Sequence, residues 1–519
     1  MDKRVGWALL SGLLLTAAFP KIGLEWIAWI GLTPLLLAIR DRKPGAAFRL
    51  GFIAGLAHYA TLLYWVVHTM RTYGHLPLYL AAPALFLLAA YLALYPALFS
   101  AILVRICRRP TAMWALVPFL WTGLEYVRGH LFTGFPWELL GYSQFQRRHL
   151  IQIADLTGPY GLSFLIAMAG GTAAVFVLHL KGRPWRDGPP TRRGSAVAAS
   201  VFGACLAATL IYGSLRIDAV DRRMAAADVM RVTAIQGNIP QAIKWDKAHR
   251  RKTIEGYLSL TEKAAEAGSD LAVWPETATP FHFFHHQTYT RLVLEGVRSA
   301  GIPLLTGSPY AERAGEDYRF FNSAFLILPD GTVAAQYDKV HLVPYGEYVP
   351  LQRWMPFIQK LVAQVGDFEA GEMGQILSAD GLRLGVLICY EIIFPELARA
   401  AADSGATLLA NLTNDAWYGR TAAPYQHFSM AVFRAVENRR SLVRAANTGI
   451  SGFIDPVGRT AGTTPLFETT LTTRDVPLMD GKTVYTKWGD GFAVGCLVLS
   501  AVFGLGVPIL NHFTKRRTA

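Results

Sequence analysis

Leu384-Gly385-Val386-Leu387-Ile388-Cys389-Tyr390-Glu391-Ile392-Ile393-Phe394-Pro395 begins as an unbroken apolar run, rich in Leu, Val and Ile, that ends at a cysteine. A run of this length and branching predicts a short buried strand. The residues from Glu391 to about Asp403 predict a helix, which puts Cys389 at a strand-to-helix corner. A thiol there is presented at the tip of a sheet beside backbone N–H groups that lack helical partners, a setting suited to a nucleophile. The same cysteine also fits the role of a small buried hydrophobe, because free Cys is among the most buried residue types. The rest of the chain decides between the two.

Working outward, the 519-residue chain exceeds one ordinary domain, and it is 52% hydrophobic but only 17% charged. That balance points to membrane spans. The net charge of +13 is unevenly placed: residues 216–488 hold 28 Lys+Arg against 29 Asp+Glu, so the excess lies in the flanks. It sits in short loops between apolar stretches, which speaks against a basic nucleic-acid-binding face. Of the four cysteines, Cys389 alone falls in the near-neutral middle region, so no disulfide and no cysteine metal cluster can form within it.

Apolar stretches at about 5–19, 24–39, 51–70, 77–104, 111–127, 161–180, 195–215 and 491–511 predict eight transmembrane helices. Basic residues alternate between the connections. One set (Lys3/Arg4, Arg40–Arg49, Arg105–Arg109, Lys181–Arg193, Lys515–Arg517) holds 17 and the other (Lys21, Arg71, 128–160) holds five. The positive-inside rule then places both termini in the cytoplasm and residues 216–488 outside. The expected organisation is a transmembrane domain over 1–215, an extracytoplasmic catalytic domain over 216–488, and an eighth helix with a cytoplasmic tail over 489–519. Within the 128–160 connection, Phe132–Ser143 reads as an interfacial aromatic anchor or as the wall or lip of a lipid-accessible site.

The middle region alternates strands (230–235, 271–274, 303–307, 324–328, 333–337, 384–389, 407–412, 442–446) with helices (247–267, 287–300, 391–403, 424–440), the pattern of a layered α/β domain. Three residues near strand ends carry complementary chemistry. Cys389 is mostly protonated at its ordinary pKa and needs a base; Glu276 can take the proton. The Lys339 ammonium can stabilise a thiolate and an oxyanion. Singly, Glu276 also fits a helix N-terminal acid and Lys339 a surface charge.

Their surroundings join the three. Trp274-Pro275-Glu276-Thr277, Tyr337-Asp338-Lys339-Val340-His341-Leu342-Val343-Pro344-Tyr345-Gly346-Glu347 and Ile388-Cys389-Tyr390-Glu391 resemble the Glu-Lys-Cys blocks of the nitrilase, or carbon–nitrogen hydrolase, superfamily. With the flanking spans, the whole chain resembles the apolipoprotein N-acyltransferases. Gln236-Gly237-Asn238-Ile239-Pro240-Gln241-Ala242-Ile243-Lys244-Trp245, Asn411–Tyr418, Ala445–Ser451, Gly134–Trp137 and Tyr160–Phe164 are similar to other blocks of that family.

The resemblance implies a nitrilase-like αββα sandwich joined to an all-α bundle of eight transmembrane helices. It implies Glu276 as general base, Lys339 as oxyanion residue, Cys389 as acyl-accepting nucleophile and Glu347 as a supporting carboxylate. Tyr390 and Glu391 would shape the pocket, with the Tyr390 N–H in an oxyanion hole, and Trp245 would stand at the entrance. The implied donor is a phospholipid, with phosphatidylethanolamine expected, and the implied acceptors are diacylated apolipoproteins of the bacterial inner membrane. No cofactor, metal or nucleic acid is implied, and a monomer is the default.

Phe281-His282-Phe283-Phe284-His285-His286 is expected to be a mobile lid dipping among lipid headgroups, with Met355-Pro356-Phe357-Ile358 as a second arm; an ordinary surface loop is the plainer alternative. His282 and His285 lack an evident carboxylate or thiol partner for a metal. Two rival functions remain open on sequence alone. One is a membrane-tethered amidase that passes the acyl group to water. The other is a transporter or lipoprotein-binding scaffold with an inert domain; the few ionisable residues within the spans argue against transport.

Overall fold

The computed structural model describes residues 2–348 and 368–503, so the 355–358 segment and the end of the last apolar stretch lie outside the described residues. The chain divides into two compact units. One comprises the residues up to Val67, Pro77–Arg216 and those from Trp488 on; the other comprises His68–Leu76 and Ile217–Lys487.

The first unit is helical. Among the described residues, Leu78–Ile106, Tyr160–Leu180 and Arg192–Ala225, the last continuing past Arg216 where the first unit ends, are long and apolar enough to cross a membrane, and Pro44–Leu62 with Trp65–Thr72, which continues past Val67, makes a fourth if taken as one span bent by 49°. The 24–39 stretch departs from the single helix expected. It folds as a 3-10 turn, Glu25–Ile27, followed by two short helices, Ala28–Gly31 and Thr33–Ile39, the latter opening with Pro34. The 51–70 stretch likewise breaks between Leu62 and Trp65. Pro44–Leu62 packs closely on Leu78–Ile106 through small residues. A methyl at Gly51 would fall 2.4 Å from the Pro96 carbonyl, and one at Gly55 would fall 2.8 Å from the Ala93 Cα. Close approach of this kind holds helices together where lipid removes the hydrophobic drive.

The 132–143 loop is mostly an inward structure. Trp137 is fully buried and Phe132 is 84% exposed. Glu125 accepts from the Leu140 N–H at 2.8 Å, and Arg128 donates to the Trp137 carbonyl at 3.1 Å, tying the loop to helix Pro110–His130.

Among the described residues, the second unit contains twelve strands. In chain order they are β1 (Val229–Gln236), β2 (Leu271–Val273), β3 (Leu304–Ala314), β4 (Asp317–Ile327), β5 (Val333–Asp338), β6 (Leu377–Ala379), β7 (Leu382–Ile388), β8 (Leu408–Thr413), β9 (Ser441–Ala446), β10 (Gly452–Ile454), β11 (Thr460–Ala461) and β12 (Thr470–Pro477). They form two six-stranded sheets, ordered β12-β1-β2-β3-β4-β5 and β11-β10-β9-β8-β7-β6. Alternation of side chains along each strand sorts them between two cores. Val232, Ala234, Val273 and Leu326 from one sheet meet Leu384, Val386, Leu412 and Val443 from the other, closing the space between the sheets. The opposite face of the first sheet packs Ile235, Trp274 and Phe325 on Ile254 and Tyr257 of helix Arg250–Glu266 and on Val293 and Val297 of helix Gln287–Ala300. Helices Pro395–Asp403 and Ala423–Asn438 contact the second sheet, completing a nitrilase-like α/β sandwich.

The structure revises two sequence expectations here. The helix expected from Glu391 starts at Pro395 and is preceded by a 3-10 turn, Cys389–Ile393. Proline pushes the residue before it out of helical geometry, and Phe394 is extended. The aromatic run, expected to be a lid, supplies core: Phe281 is 2% exposed and Phe283 is fully buried, stacked on Phe325 at 4.8 Å. His285 Nε2 donates to the Ala311 carbonyl at 2.8 Å, and of the three phenylalanines only Phe284 is exposed, together with His285 and His286. Phe283→Ala is therefore expected to cost about 3–5 kcal/mol of stability. Denaturant unfolding of the detergent-solubilised protein measures this, and an unchanged midpoint would contradict the core assignment.

Candidate active site

The ends of β2, β5, β7 and β8 carry Glu276, Lys339, Cys389 and Asn414 into one buried site. Pro275–Thr277 turns back over β3, and Gly307 makes room for it: a Cβ there would lie 2.7 Å from the Glu276 Cα. Thr277 takes a φ of +47° in this turn. The Glu276 carboxylate receives Asn322 Nδ2 at 2.9 Å and the Asn414 N–H at 3.0 Å, and Lys339 Nζ lies 3.5 Å away. Lys339 is 1% exposed and donates to Glu347 at 2.9 Å. Asn322 Nδ2 also reaches Glu347 at 2.8 Å, so one amide holds both carboxylates. Burial alone would depress the Lys339 ammonium; Glu347 and then Glu276 outweigh burial and raise it well above the ordinary lysine value.

Cys389 adopts φ +52°, a left-handed conformation uncommon for a residue with a Cβ. Such a conformation costs about 1–3 kcal/mol and persists where the surroundings enforce it. Glu391 supplies part of that enforcement. Its carboxylate is fully buried and accepts from the N–H groups of Ile388, Val340 and His341 at 2.6, 2.7 and 3.1 Å, and from Tyr337 Oη at 3.0 Å. These bonds pin the turn that carries Cys389 to the turn that carries Lys339. Burial pushes its carboxyl up to about 7, against the pull of these donors and of Lys339.

Behind Cys389, His427 Nε2 donates to the Cys389 carbonyl at 3.1 Å, and its Nδ1 lies 3.0 Å from Asp415. Arg444 donates to Asp415 at 2.8 Å. Burial raises the Asp415 carboxyl, but Arg444 and His427 overcome this and hold it down at about 2. The 3-10 turn Asp415–Tyr418 is gripped in turn by the 68–76 segment: Thr69 Oγ1 donates to the Trp417 carbonyl at 2.9 Å and Tyr73 Oη to the Ala416 carbonyl at 2.7 Å.

Burial drives the Cys389 thiol far above its ordinary value; the Glu276 charge adds to this and Lys339 opposes it. The three expected side chains thus lie within electrostatic reach of one another, and Glu347 joins them. Tyr390, 9% exposed, packs its ring against Phe394 at 5.2 Å and His341 at 5.9 Å. Trp245 is half-buried, and its indole Nε1 is buried with no hydrogen-bond partner among the described residues. Sequence reasoning missed Asn322, Asn414, Lys244 and the Asp415–His427–Arg444 group. Asn414, Asp415 and Lys244 lay inside quoted blocks, whereas nothing local marks Asn322.

A buried carboxylate, ammonium and thiol at the strand ends of a two-sheet sandwich define an acyl-transfer enzyme of the carbon–nitrogen hydrolase class, and residues 231–484 match the family model described as "Carbon-nitrogen hydrolase". Residues 11–172 match a second model, "Apolipoprotein N-acyltransferase N-terminal domain". The chain is 46% identical over 496 residues to the apolipoprotein N-acyltransferase of Geobacter metallireducens, covering 95% of this chain and 93% of that protein. It is 34% identical over 494 residues to the enzyme of the same name from Methylococcus capsulatus, covering 94% and 93%. The chain belongs to the apolipoprotein N-acyltransferase family. Among solved structures, an amidase of the nitrilase superfamily from Nesterenkonia AN1 is 25% identical, covering 48% of this chain and 90% of that one at a TM-score of 0.37.

Proposed function

We propose that the enzyme moves a fatty acyl chain from a membrane phospholipid, phosphatidylethanolamine foremost, through a Cys389 thioester to the α-amino group of an S-diacylglyceryl-cysteine at the N-terminus of an apolipoprotein. Glu276 takes the Cys389 proton and Sγ attacks the ester carbonyl. Lys339 and the Tyr390 N–H receive the oxyanion, while Glu347 and Asn322 hold Lys339 and Glu276 in register. Collapse breaks the ester C–O bond, the leaving glycerol oxygen recovers the proton from Glu276, and a lysophospholipid departs. The acceptor amine then attacks the thioester. Glu276 removes its proton and returns it to Sγ as the C–S bond breaks. Trp245 stands at the entrance.

Both substrates carry bilayer-embedded chains, which suits the membrane organisation expected from the basic-residue count. In that organisation residues 1–215 supply seven spans, 216–488 the periplasmic catalytic domain and 489–519 the eighth span, with both termini cytoplasmic in the inner membrane. The division of the chain into a helical unit and a sandwich unit supports this reading.

The observation that carries the function is the buried Glu276–Lys339–Cys389 set in a chain of this family. Purified protein mixed with phosphatidylethanolamine vesicles is expected to gain one acyl mass on Cys389 and release lysophospholipid. Turnover of small amides with neither product would favour the amidase. Normal lipoprotein maturation in cells carrying only Cys389→Ala would favour the scaffold.

A further inference from the structure

Helix Ala423–Asn438 carries His427, fully buried, against the turn that holds Cys389. The two ring nitrogens have different neighbours. Nε2 lies 3.1 Å from the Cys389 carbonyl oxygen, which can only accept, so Nε2 bears the proton. Nδ1 lies 3.0 Å from Asp415 Oδ1 and 3.0 Å from Arg444 Nη2. Asp415 has donors without the imidazole: Thr413 Oγ1 reaches Oδ1 at 3.0 Å and Arg444 Nη2 reaches Oδ2 at 2.8 Å. A neutral ring protonated on Nε2 therefore suits every group here. Arg444 Nη2 has two N–H bonds, one for Asp415 and one for the bare Nδ1. Burial, then Arg444, lower the His427 pKa below the ordinary histidine value against the pull of Asp415, which favours the same neutral ring.

The Cys389 carbonyl belongs to the same peptide as the Tyr390 N–H. That peptide is trans, so its oxygen and its hydrogen point in opposite directions. Tyr390 is the second residue of the 3-10 turn Cys389–Ile393, and its N–H lies ahead of the turn's own i→i+3 bonds. No acceptor outside the turn receives it among the described residues, and the Leu387 carbonyl, three residues back, takes Asn411 Nδ2 at 2.8 Å. Tyr390 is nonetheless only 9% exposed. A buried main-chain donor with no protein partner is rare, and it marks a place for a ligand atom.

We propose that His427 is a positioning residue that aims and polarises the Tyr390 N–H as an oxyanion donor, acting through the Cys389–Tyr390 peptide. The inference rests on the acyl-transfer reading, in which the oxyanion meets that N–H. Holding the oxygen end of a rigid plane fixes where its hydrogen end points. A donor on the carbonyl also draws electron density from the peptide and leaves its N–H more positive, so the two hydrogen bonds strengthen each other. Cys389 sits at φ +52°, a conformation its own sterics do not favour, so the plane beyond it needs an outside hold. Arg444 and Asp415 supply the step behind: they keep the imidazole in the tautomer that can donate to the carbonyl.

The test compares two reactions of the same sulfur in the full-length protein. Acylation by p-nitrophenyl butyrate passes through a tetrahedral oxyanion, forms a butyryl thioester on Cys389 and releases p-nitrophenol. Alkylation by iodoacetamide displaces iodide and forms no oxyanion. Glutamine places an amide N–H about as far out as Nε2, whereas the asparagine amide stops near Nδ1. H427N is expected to acylate about 10–100-fold more slowly at saturating ester, with the half-saturating concentration unchanged, and to alkylate within about twofold of wild type. H427Q is expected to recover most of the lost acylation. Lysophospholipid release from phosphatidylethanolamine vesicles should follow the acylation rates. Equal losses in acylation and alkylation would point to a displaced thiol and overturn the inference. A wild-type acylation rate in H427N would overturn it too, because the 3-10 turn alone would then fix the peptide. A test without variants is the nitrogen-15 spectrum of histidine-labelled wild type. A His427 ring protonated on Nδ1 alone has no donor for the carbonyl and would overturn the inference even if H427N does not fold. If the wild type takes an acyl group from the p-nitrophenyl ester but not from phosphatidylethanolamine, the phospholipid reading fails while the two rates still decide the role of His427.

Discussion

Cys389→Ser is expected to give a folded protein that forms no acyl-enzyme and releases no lysophospholipid, a loss of about 10³–10⁶-fold. The swap changes one atom in a buried turn whose shape is set by main-chain bonds, from the Ile388 N–H to Glu391 and from His427 to the Cys389 carbonyl. The fold should therefore survive. The chemistry should not. The site already drives a thiol far above its ordinary value through burial and the Glu276 charge. A hydroxyl starts several units less acidic, and one carboxylate base cannot make up the difference. An ester intermediate would also be attacked more slowly by an amine than a thioester. Intact-mass measurement after exposure to phosphatidylethanolamine vesicles, with unfolding followed in parallel, checks both halves. A serine variant that acylates at more than a tenth of the wild-type rate would remove Cys389 from the nucleophile's role.

Lys339→Met should be the more damaging change to the protein as a whole. It removes the cation from between Glu276 and Glu347, which share the Asn322 amide. Breaking a buried ion pair by deleting one partner costs about 3–5 kcal/mol, because the other partner's charge stays buried. Activity should fall by at least about 10²–10³-fold from the lost oxyanion partner.

The pH dependence has a definite sign. In the wild type the raised Lys339 ammonium contributes stability that is fully present below the ordinary lysine pKa and is lost only as pH rises through its higher folded value. In the variant, Glu276 and Glu347 lose the cation between them, so protonating either relieves their mutual repulsion. The stability deficit relative to wild type should therefore shrink as pH is lowered from about 8 to 5. A deficit that grows on acidification would show that the carboxylates are not the strained partners. Lys339→Arg should recover charge without recovering activity, since a planar fork does not fit a site built around a point charge.

The candidate site was readable in the linear chain because each of its three candidate residues follows closely on a strand. Leu271–Val273, Val333–Asp338 and Leu382–Ile388 are short, β-rich and local, and Glu276, Lys339 and Cys389 follow them within a few residues. Helix Gln287–Ala300 was equally legible from its apolar period, with matching ends. Strand β12 was not: Thr470–Pro477 is mostly polar, lies at a sheet edge and shows no apolar alternation. The aromatic run at 281–286 misled for a related reason. A cluster of phenylalanines reads the same whether it faces lipid or a neighbouring sheet, and Phe325, the partner that buries Phe283, lies more than forty residues away.

Composition, charge placement and local pattern carried the class of protein, the separation of apolar flanks from an α/β middle, and the identity of the thiol, acid and amine, because all of these depend on near neighbours in the chain. How the site is held depended on groups that meet only after folding. Asn322 bridges two carboxylates, Lys244 reaches the carbonyl of Glu276, Glu391 serves two turns at once, and the 68–76 segment grips the turn beside Asp415. Hydrogen bonds and buried charges act over a few ångströms in space and take no account of sequence separation. A residue whose partner is tens or hundreds of positions away therefore leaves no local trace of what it does.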